Sequence, residues 1–260
     1  MIITAFSNLF GSGGAPIFSI NRGKGDSRTA DMIMNTAFTM LCGSAAVLML
    51  IGFLFARPLL TLFGASDDAL VYAYPYLMIY LLGTLPSMIA TGMNPFINAQ
   101  GYAIIGMLSV AVGAVANIIL DPVFIFVLDM GIKGAAIATV ISQLISCILV
   151  LRCLRTSKTS YQLHFGKLRI NTVYLKQIFQ VGIPAGIQST VINLSNALLQ
   201  SSVNSFGSTA MAGYTAANNI FGFLYVAVNS VTQACMSFTS QNYGLRKLKR
   251  MDKILIDCLI

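Results

Sequence analysis

Asp121 is the residue of this sequence whose type and position most clearly indicate chemistry, because it lies within the apolar run 101–129. Keeping an ionised carboxylate in hydrocarbon costs at least about 2.5–3.5 kcal/mol, so a chain retains one where it faces a cavity or a partner. Asn117 precedes Asp121 by one helical turn, and this spacing lets the amide hydrogen-bond the carboxyl group. The pair is therefore predicted to belong to a functional site.

Pro122 follows the acid directly and strengthens this prediction. Proline has no amide hydrogen, so residue 122 cannot donate to the carbonyl of Ile118. The helical ladder is expected to open beside Asp121 and to leave a backbone oxygen available to a cation, a water or a substrate group. The alternative is a structural acid that is satisfied by hydrogen bonds within a broken helix.

The composition excludes an ordinary soluble domain and predicts an all-α, multi-pass membrane protein. Of the 260 residues, 56% are hydrophobic and 9% are charged, whereas soluble domains carry roughly 25% charged residues. The apolar runs are continuous and do not alternate, which favours helices over a transmembrane barrel. The five cysteines lack paired spacing and are read as reduced, with neither disulfides nor a metal site expected.

The positive charges are segregated and predict the orientation of the chain. Of the sixteen Lys and Arg residues, all but Arg57 and Lys133 fall into three clusters, at residues 22–28, 152–176 and 246–253. Loops rich in Lys and Arg stay in the cytoplasm, so the three clusters are assigned to the inner side. This reading accounts for the net charge of +8 without nucleic acid as a partner.

Seven or eight apolar segments separated by alternating inner and outer turns are predicted. Asp31 is expected to cap the second of them. The segments are residues 1–21, 32–56, 69–97, 101–129, 134–152, 177–205 and 211–239, with a further run starting near residue 254.

An internal repeat links two of the predicted inner loops. At a constant offset, Ser19, Asn21, Gly23, Asp31 and Ile33 reappear as Ser240, Asn242, Gly244, Asp252 and Ile254. The two loops lie on the same side and about six spans apart, which is the placement expected of a duplicated transporter.

Several motifs along the chain together resemble the multidrug and toxic compound extrusion (MATE) family. They are NRGKGD at 21–26, NAQG at 98–101, NIILDPVF at 117–124, GIKGAAIATVIS at 131–142, VGIPAGIQ at 181–188 and QNYG at 241–244. The resemblance implies a helical bundle of two six-helix lobes, here truncated at both ends. Residues 1–155 would form the amino-terminal lobe, 156–176 a cytoplasmic linker and 177–260 the start of the carboxy-terminal lobe.

The resemblance also implies a function, which is antiport of organic cations or drugs against H⁺ or Na⁺ without a cofactor. Asp121 matches a position that serves cation or proton binding in this family, and Asn117 matches its partner. Thr139 resembles a further hydroxyl of the same cavity, although Thr in membrane helices often bonds its own backbone. The expected setting is the cell membrane, for example the inner membrane of a bacterium, with lipid around a protein that is monomeric when complete.

The remaining candidates for a substrate cavity are aromatic and amide side chains. Tyr76 and Tyr80 recur with Tyr72 on one helical face and could bind cations through their rings, while Tyr72 fits an interfacial belt. Asn94 could line the cavity or cap a turn, and amides in membrane helices also join helices together. The full set of predicted cavity residues is Tyr76, Tyr80, Asn94, Thr139, Asn193 and Asn196.

Two other function classes are less well supported by the sequence. A flippase or exporter of lipid-linked or anionic glycans needs Lys or Arg inside the bundle to neutralise a pyrophosphate, but the predicted spans carry basic residues only near their ends. An enzyme needs a nucleophile and base or a metal cluster. The chain has one histidine, no Glu and no phosphate-binding loop motif, so no enzymatic activity is expected.

Overall fold

The computed structural model describes residues 2–62, 67–156, 161–163, 170–204 and 207–259. Within these ranges the protein is helical, as its sequence predicts. The α-helices are α1 (Ile2–Gly23), α2 (Ser27–Leu62), α3 (Asp67–Leu82), α4 (Thr84–Ala99), α5 (Ala103–Pro122), α6 (Gly131–Thr156), α7 (Thr172–Asn204), α8 (Ser208–Gly244) and α9 (Leu248–Leu259), and a π-helical segment (Val123–Val127) follows α5.

The predicted span 69–97 is broken into α3 and α4, whose axes differ in direction by 50°. Pro86 is the physical reason for the break. It cannot donate to the carbonyl of Leu82, and its ring would collide with that carbonyl in a continuous helix. Gly83, between the two helices, is buried. A side chain there would meet Gln143 and Val140 of α6, so the bend packs directly on α6.

Helix α1 is central to the bundle and contacts α2, α4, α7 and α8. Its rings of Phe10 and Phe18 are almost completely buried. Phe18 packs edge-on against Phe96 of α4, with ring centroids 5.6 Å apart, and Phe10 packs against Phe179 of α7 at 5.8 Å. Helices α4 and α7 are thus joined through α1 by aromatic packing.

Four of the described helical segments are each long and apolar enough to cross a membrane, and the bent pair α3 and α4 meets the same criteria when its two helices are taken together. The four segments are Ser27–Thr61, Ala103–Val127, Gly131–Thr156 and Gly213–Gly244. Helices α1 and α7 fall outside this set, although the sequence predicts both as spans. They pack along each other, and polar residues such as Asn8 and Gln188 interrupt their apolar character.

The described parts of the inner turns meet at one end of the bundle. The Arg22 guanidinium donates to the carbonyl of Ala99 at the end of α4 and lies 6.0 Å from the ring centroid of Tyr161 in the linker. At the first inner turn, the start of α2 differs from the prediction. The helix begins one turn before Asp31, and Asp26 caps it by accepting a hydrogen bond from the Thr29 amide at 3.0 Å. The side chain and amide of Thr29 lower the pKa of Asp26.

The internal repeat is confirmed by the geometry of its two turns. Gly25 and Arg246, which are related by the repeat offset, both have left-handed backbone angles, with φ of 78° and 57°. The backbone hydrogen bonds of the turns are equivalent as well. Their donor and acceptor pairs are Gly25 to Arg22 and Asp26 to Asn21 in the first turn, and Arg246 to Tyr243 and Lys247 to Asn242 in the second.

Cysteine labelling will test the predicted orientation of the bundle. In intact cells and in a variant lacking the native cysteines, Ile132→Cys at the outer turn should react with an impermeant thiol reagent. Leu248→Cys should react only after the membrane is permeabilised, because its neighbours are the basic residues of the third cluster. Labelling of Leu248→Cys in intact cells, with protection of Ile132→Cys, would show that the orientation is reversed.

Candidate functional site

The predicted pair of Asn117 and Asp121 is formed in the structure. The Asn117 Nδ2 donates a hydrogen bond to Asp121 Oδ1 at 3.1 Å, and both side chains are half-buried. The other carboxylate oxygen of Asp121 can still accept a proton or a cation. A carboxylate in an apolar helix with one oriented amide donor therefore offers a binding site for a small positive charge.

The helix changes register directly after the acid. The Val123 amide bonds to the carbonyl of Leu120, three residues back, and the Leu128 amide bonds to the carbonyl of Val123, five residues back, at 2.9 Å. Pro122 explains this change, because it cannot supply the regular bond four residues back. The sequence predicts an opened ladder here, and the structure contains a π-helical segment, a feature that is frequent at functional sites.

Tyr76 and Tyr80 form an aromatic wall on α3. Their rings are stacked, with centroids 6.0 Å apart and planes at 14°, and both are half-buried. Tyr76 lies within electrostatic range of Asp121, and α3 and α5 are joined through α6, which packs against both. Tyr72, at the outer end of this row, is 62% exposed.

Helix α6 packs against both α3 and α5 and carries two polar residues, Thr139 and Gln143. The Thr139 hydroxyl donates to the carbonyl of Ala135 at 2.9 Å, which leaves its lone pairs able to accept. Gln143 lies one turn further on, and its Oε1 is 2.8 Å from the position that a side-chain carbon at Gly83 would occupy. Gln143 is absent from the predicted set, and the structure places it at the bend between α3 and α4.

Asn94 lies at a different place in the lobe. Its Nδ2 donates to the carbonyl of Gly106 in α5 at 2.9 Å. Asn98 Oδ1 also packs closely on Gly106, and any side chain at residue 106 would collide with both amides. In this structure Asn94 joins α4 to α5, so its contribution to a substrate cavity remains a prediction.

A polar cavity of about 460 Å³ lies between α1, α7 and α8. Its polar lining comes from Asn8, Ser12, Gln188, Asn229, Thr232 and Gln233. Asn196, one of the two asparagines predicted on α7, is not among its lining residues. Asn196 is exposed, and the side chain of Asn193 lies outside the part of the structure that is described.

The chain is similar to known bacterial transport proteins. It is 23% identical over 255 residues to the multidrug export protein MepA of Staphylococcus haemolyticus, and 25% identical over 273 residues to the probable multidrug resistance protein YoeA of Bacillus subtilis. In both comparisons the alignment covers 98% of this chain and 56% of the relative. The chain thus spans about half the length of the curated relatives that it matches.

Solved structures agree with the fold. A crystal structure of the MATE transporter VcmN of Vibrio cholerae matches 98% of this chain and 57% of its own, with a TM-score of 0.89 and 23% identity. The family model MatE matches residues 1–123 and 184–260, which is more than half of the chain and includes Asn117 and Asp121. The chain therefore belongs to the MatE family, that is, the multidrug and toxic compound extrusion family.

Proposed function

We propose that the intact protein is a secondary active exporter that antiports organic cations or drugs against H⁺ or Na⁺ across a bacterial cell membrane. The observation that supports this most directly is the hydrogen-bonded pair of Asn117 and Asp121 beside the π-helical segment. An isolated carboxylate in an apolar helix is costly unless it binds a positive charge during function.

The proposed cycle depends on competition for the Asp121 carboxylate. Protonation or Na⁺ binding neutralises the carboxylate, and an organic cation needs the same negative charge. Binding of H⁺ or Na⁺ from outside therefore weakens the binding of the organic cation. A ligand that binds the inward-open and outward-open conformations with different affinity shifts their populations. Asn117 orients the carboxylate, because its amide can bond to the charged and the neutral form.

The aromatic wall supports cations over anions as substrates. Tyr76 and Tyr80 present stacked rings near Asp121, and aromatic faces attract organic cations when water is excluded. An anionic glycan would need Lys or Arg inside the bundle. The amino-terminal lobe has its basic residues near the helix ends, which is why export of lipid-linked or glycan substrates is the less favoured proposal.

Transport by the intact protein in proteoliposomes will test the proposed function. A fluorescent organic cation should move against its own gradient when either a proton or a sodium gradient is imposed, and the gradient that works identifies the coupling ion. Liposomes without protein are the control. Absence of transport under both gradients, together with transbilayer movement of a lipid-linked pyrophosphate, would support the flippase instead.

A further inference from the structure

Helices α1 and α8 touch through backbone atoms at their inner ends. Gly23 and Gly244 are both buried. A methyl group at residue 23 would overlap the carbonyl oxygen of Gln241 and lie 3.2 Å from the Gly244 Cα. A methyl group at residue 244 would overlap the carbonyl oxygen of Ile20 and lie 3.1 Å from the Gly23 Cα. Only glycine at both positions allows this approach.

The contact is symmetric and follows the internal repeat. The repeat offset relates Gly23 to Gly244 and also relates Ile20 to Gln241. The carbonyl group that Gly23 contacts, at Gln241, is therefore the repeat equivalent of the carbonyl group that Gly244 contacts, at Ile20. This self-complementary pattern is the one that a two-fold axis produces between identical subunits, and it places the axis of the duplicated fold at this crossing.

The same two helices separate towards the middle of the bundle. There Asn8 and Ser12 of α1 face Thr232 and Gln233 of α8 across the polar cavity of about 460 Å³. Between this cavity and the glycine crossing lies a small space of about 20 Å³, which is lined in part by Ser19 and Ser237. The glycine crossing thus lies between the cavity and the basic turns.

The contact between the two glycines is weak enough to be broken when α1 and α8 separate. Each glycine directs an α-hydrogen at a carbonyl oxygen of the other helix, which is a weak contact compared with an ordinary hydrogen bond. At the crossing itself the two glycines carry no interlocking side chains, so this local contact can be broken without unpacking side chains. The crossing therefore allows close approach of the two helices through a contact that is individually weak.

We propose that the crossing of Gly23 and Gly244 is the inner gate of the cavity between the two repeats. The gate is closed in this structure and parts when a substrate enters from the cytoplasm. The proposal rests on the proposed transport function, and it assigns to these two glycines a role that is separate from cation binding at Asp121.

Distances between spin labels will show whether the glycines hold the gate closed. Lys24 and Leu245 are exposed, follow the two glycines and are equivalent in the repeat, so labelled cysteines at these positions report on the gate in a variant without the native cysteines. Gly23→Ala and Gly244→Ala should each lengthen the distance between the labels relative to the parent protein. The double variant should add little, because both methyl groups act on one contact.

Gly43→Ala is the matched control, since a methyl group at residue 43 of α2 has no neighbour within 4 Å. It should leave the distance unchanged. Alanine favours helix over glycine, so lengthening in the gate variants with unchanged helical circular dichroism reports the lost contact and not unfolding. Distances in Gly23→Ala and Gly244→Ala that match the parent protein would overturn the proposal.

A reversible cross-link separates this proposal from the transport function itself. In the intact protein, a short reducible cross-linker between Lys24→Cys and Leu245→Cys should stop export of the fluorescent cation while leaving its binding intact, and reduction should restore export. Export at an undiminished rate by fully cross-linked protein would refute the gate. Failure of the reduced, uncross-linked protein to export any cation would instead refute the proposed function.

Discussion

Asp121→Asn in the intact protein should abolish gradient-driven export of an organic cation while the protein remains inserted and folded. Asparagine has nearly the shape of the protonated acid and keeps its capacity for hydrogen bonds. It cannot become an anion, so it neither holds a cation nor exchanges a proton. The bond with Asn117 at 3.1 Å can be replaced by an amide pair, so the packing of α5 should survive. Export in proteoliposomes, with protein orientation checked, measures the effect.

Two further variants serve as references for the loss of export in Asp121→Asn. Asp129→Asn makes the same chemical change at the exposed outer turn and should leave export near the wild-type rate. Asn117→Ala removes a hydrogen bond worth about 1 kcal/mol, which corresponds to about fivefold in affinity, and leaves the charge in place. Equal losses of export in Asp121→Asn and Asp129→Asn would show that the effect comes from surface charge and not from the site.

Tyr76→Ala should weaken binding of an aromatic or quaternary organic cation by about 2- to 30-fold, because a cation over an aromatic face gains about 0.5–2 kcal/mol. The stacked ring of Tyr80 would lose its neighbour as well, so the value should lie in the upper part of this range. Tyr76→Phe keeps the ring and should retain most of the affinity. Equilibrium binding of a fluorescent cation to the purified protein measures both variants.

Tyr72→Ala is the control on the same helix, since Tyr72 is largely exposed and lies at the outer end of the row. Its affinity should match the wild type. If Tyr76→Phe loses as much affinity as Tyr76→Ala, the hydroxyl is the group that binds and the aromatic face is not. If neither variant changes the affinity, the aromatic wall is packing between α3 and its neighbours.

The part of the site that depends on local spacing could be predicted from the sequence. Asn117 and Asp121 are one helical turn apart, and helix geometry alone brings their side chains together. The stacked pair of Tyr76 and Tyr80 follows from the same spacing. The internal repeat was also visible, because identical residues recur at a constant offset, and the two turns that it relates share a left-handed residue and equivalent hydrogen bonds.

Features that depend on contacts between helices could not be predicted in this way. An amide such as Asn94 can bind a ligand or a neighbouring backbone, and only the approach of α5 determines that it bonds Gly106. Gln143 lies beside Gly83 only because the span breaks there and the bend packs on α6. Similarly, Pro122 predicts that one backbone hydrogen bond of the helix is lost, but the sequence alone does not determine whether the helix then opens or continues as a π-helical segment.

Equilibrium binding of a fluorescent cation as a function of pH tests most directly whether Asp121 carries the coupling charge. In wild-type protein, protonation removes the negative charge, so binding should weaken as the pH falls. Asp121→Asn should bind more weakly at neutral pH and show a flat profile, because no carboxylate remains to titrate at the site. An Asp121→Asn protein with wild-type affinity and an unchanged pH profile would contradict the account and assign Asp121 a purely structural role.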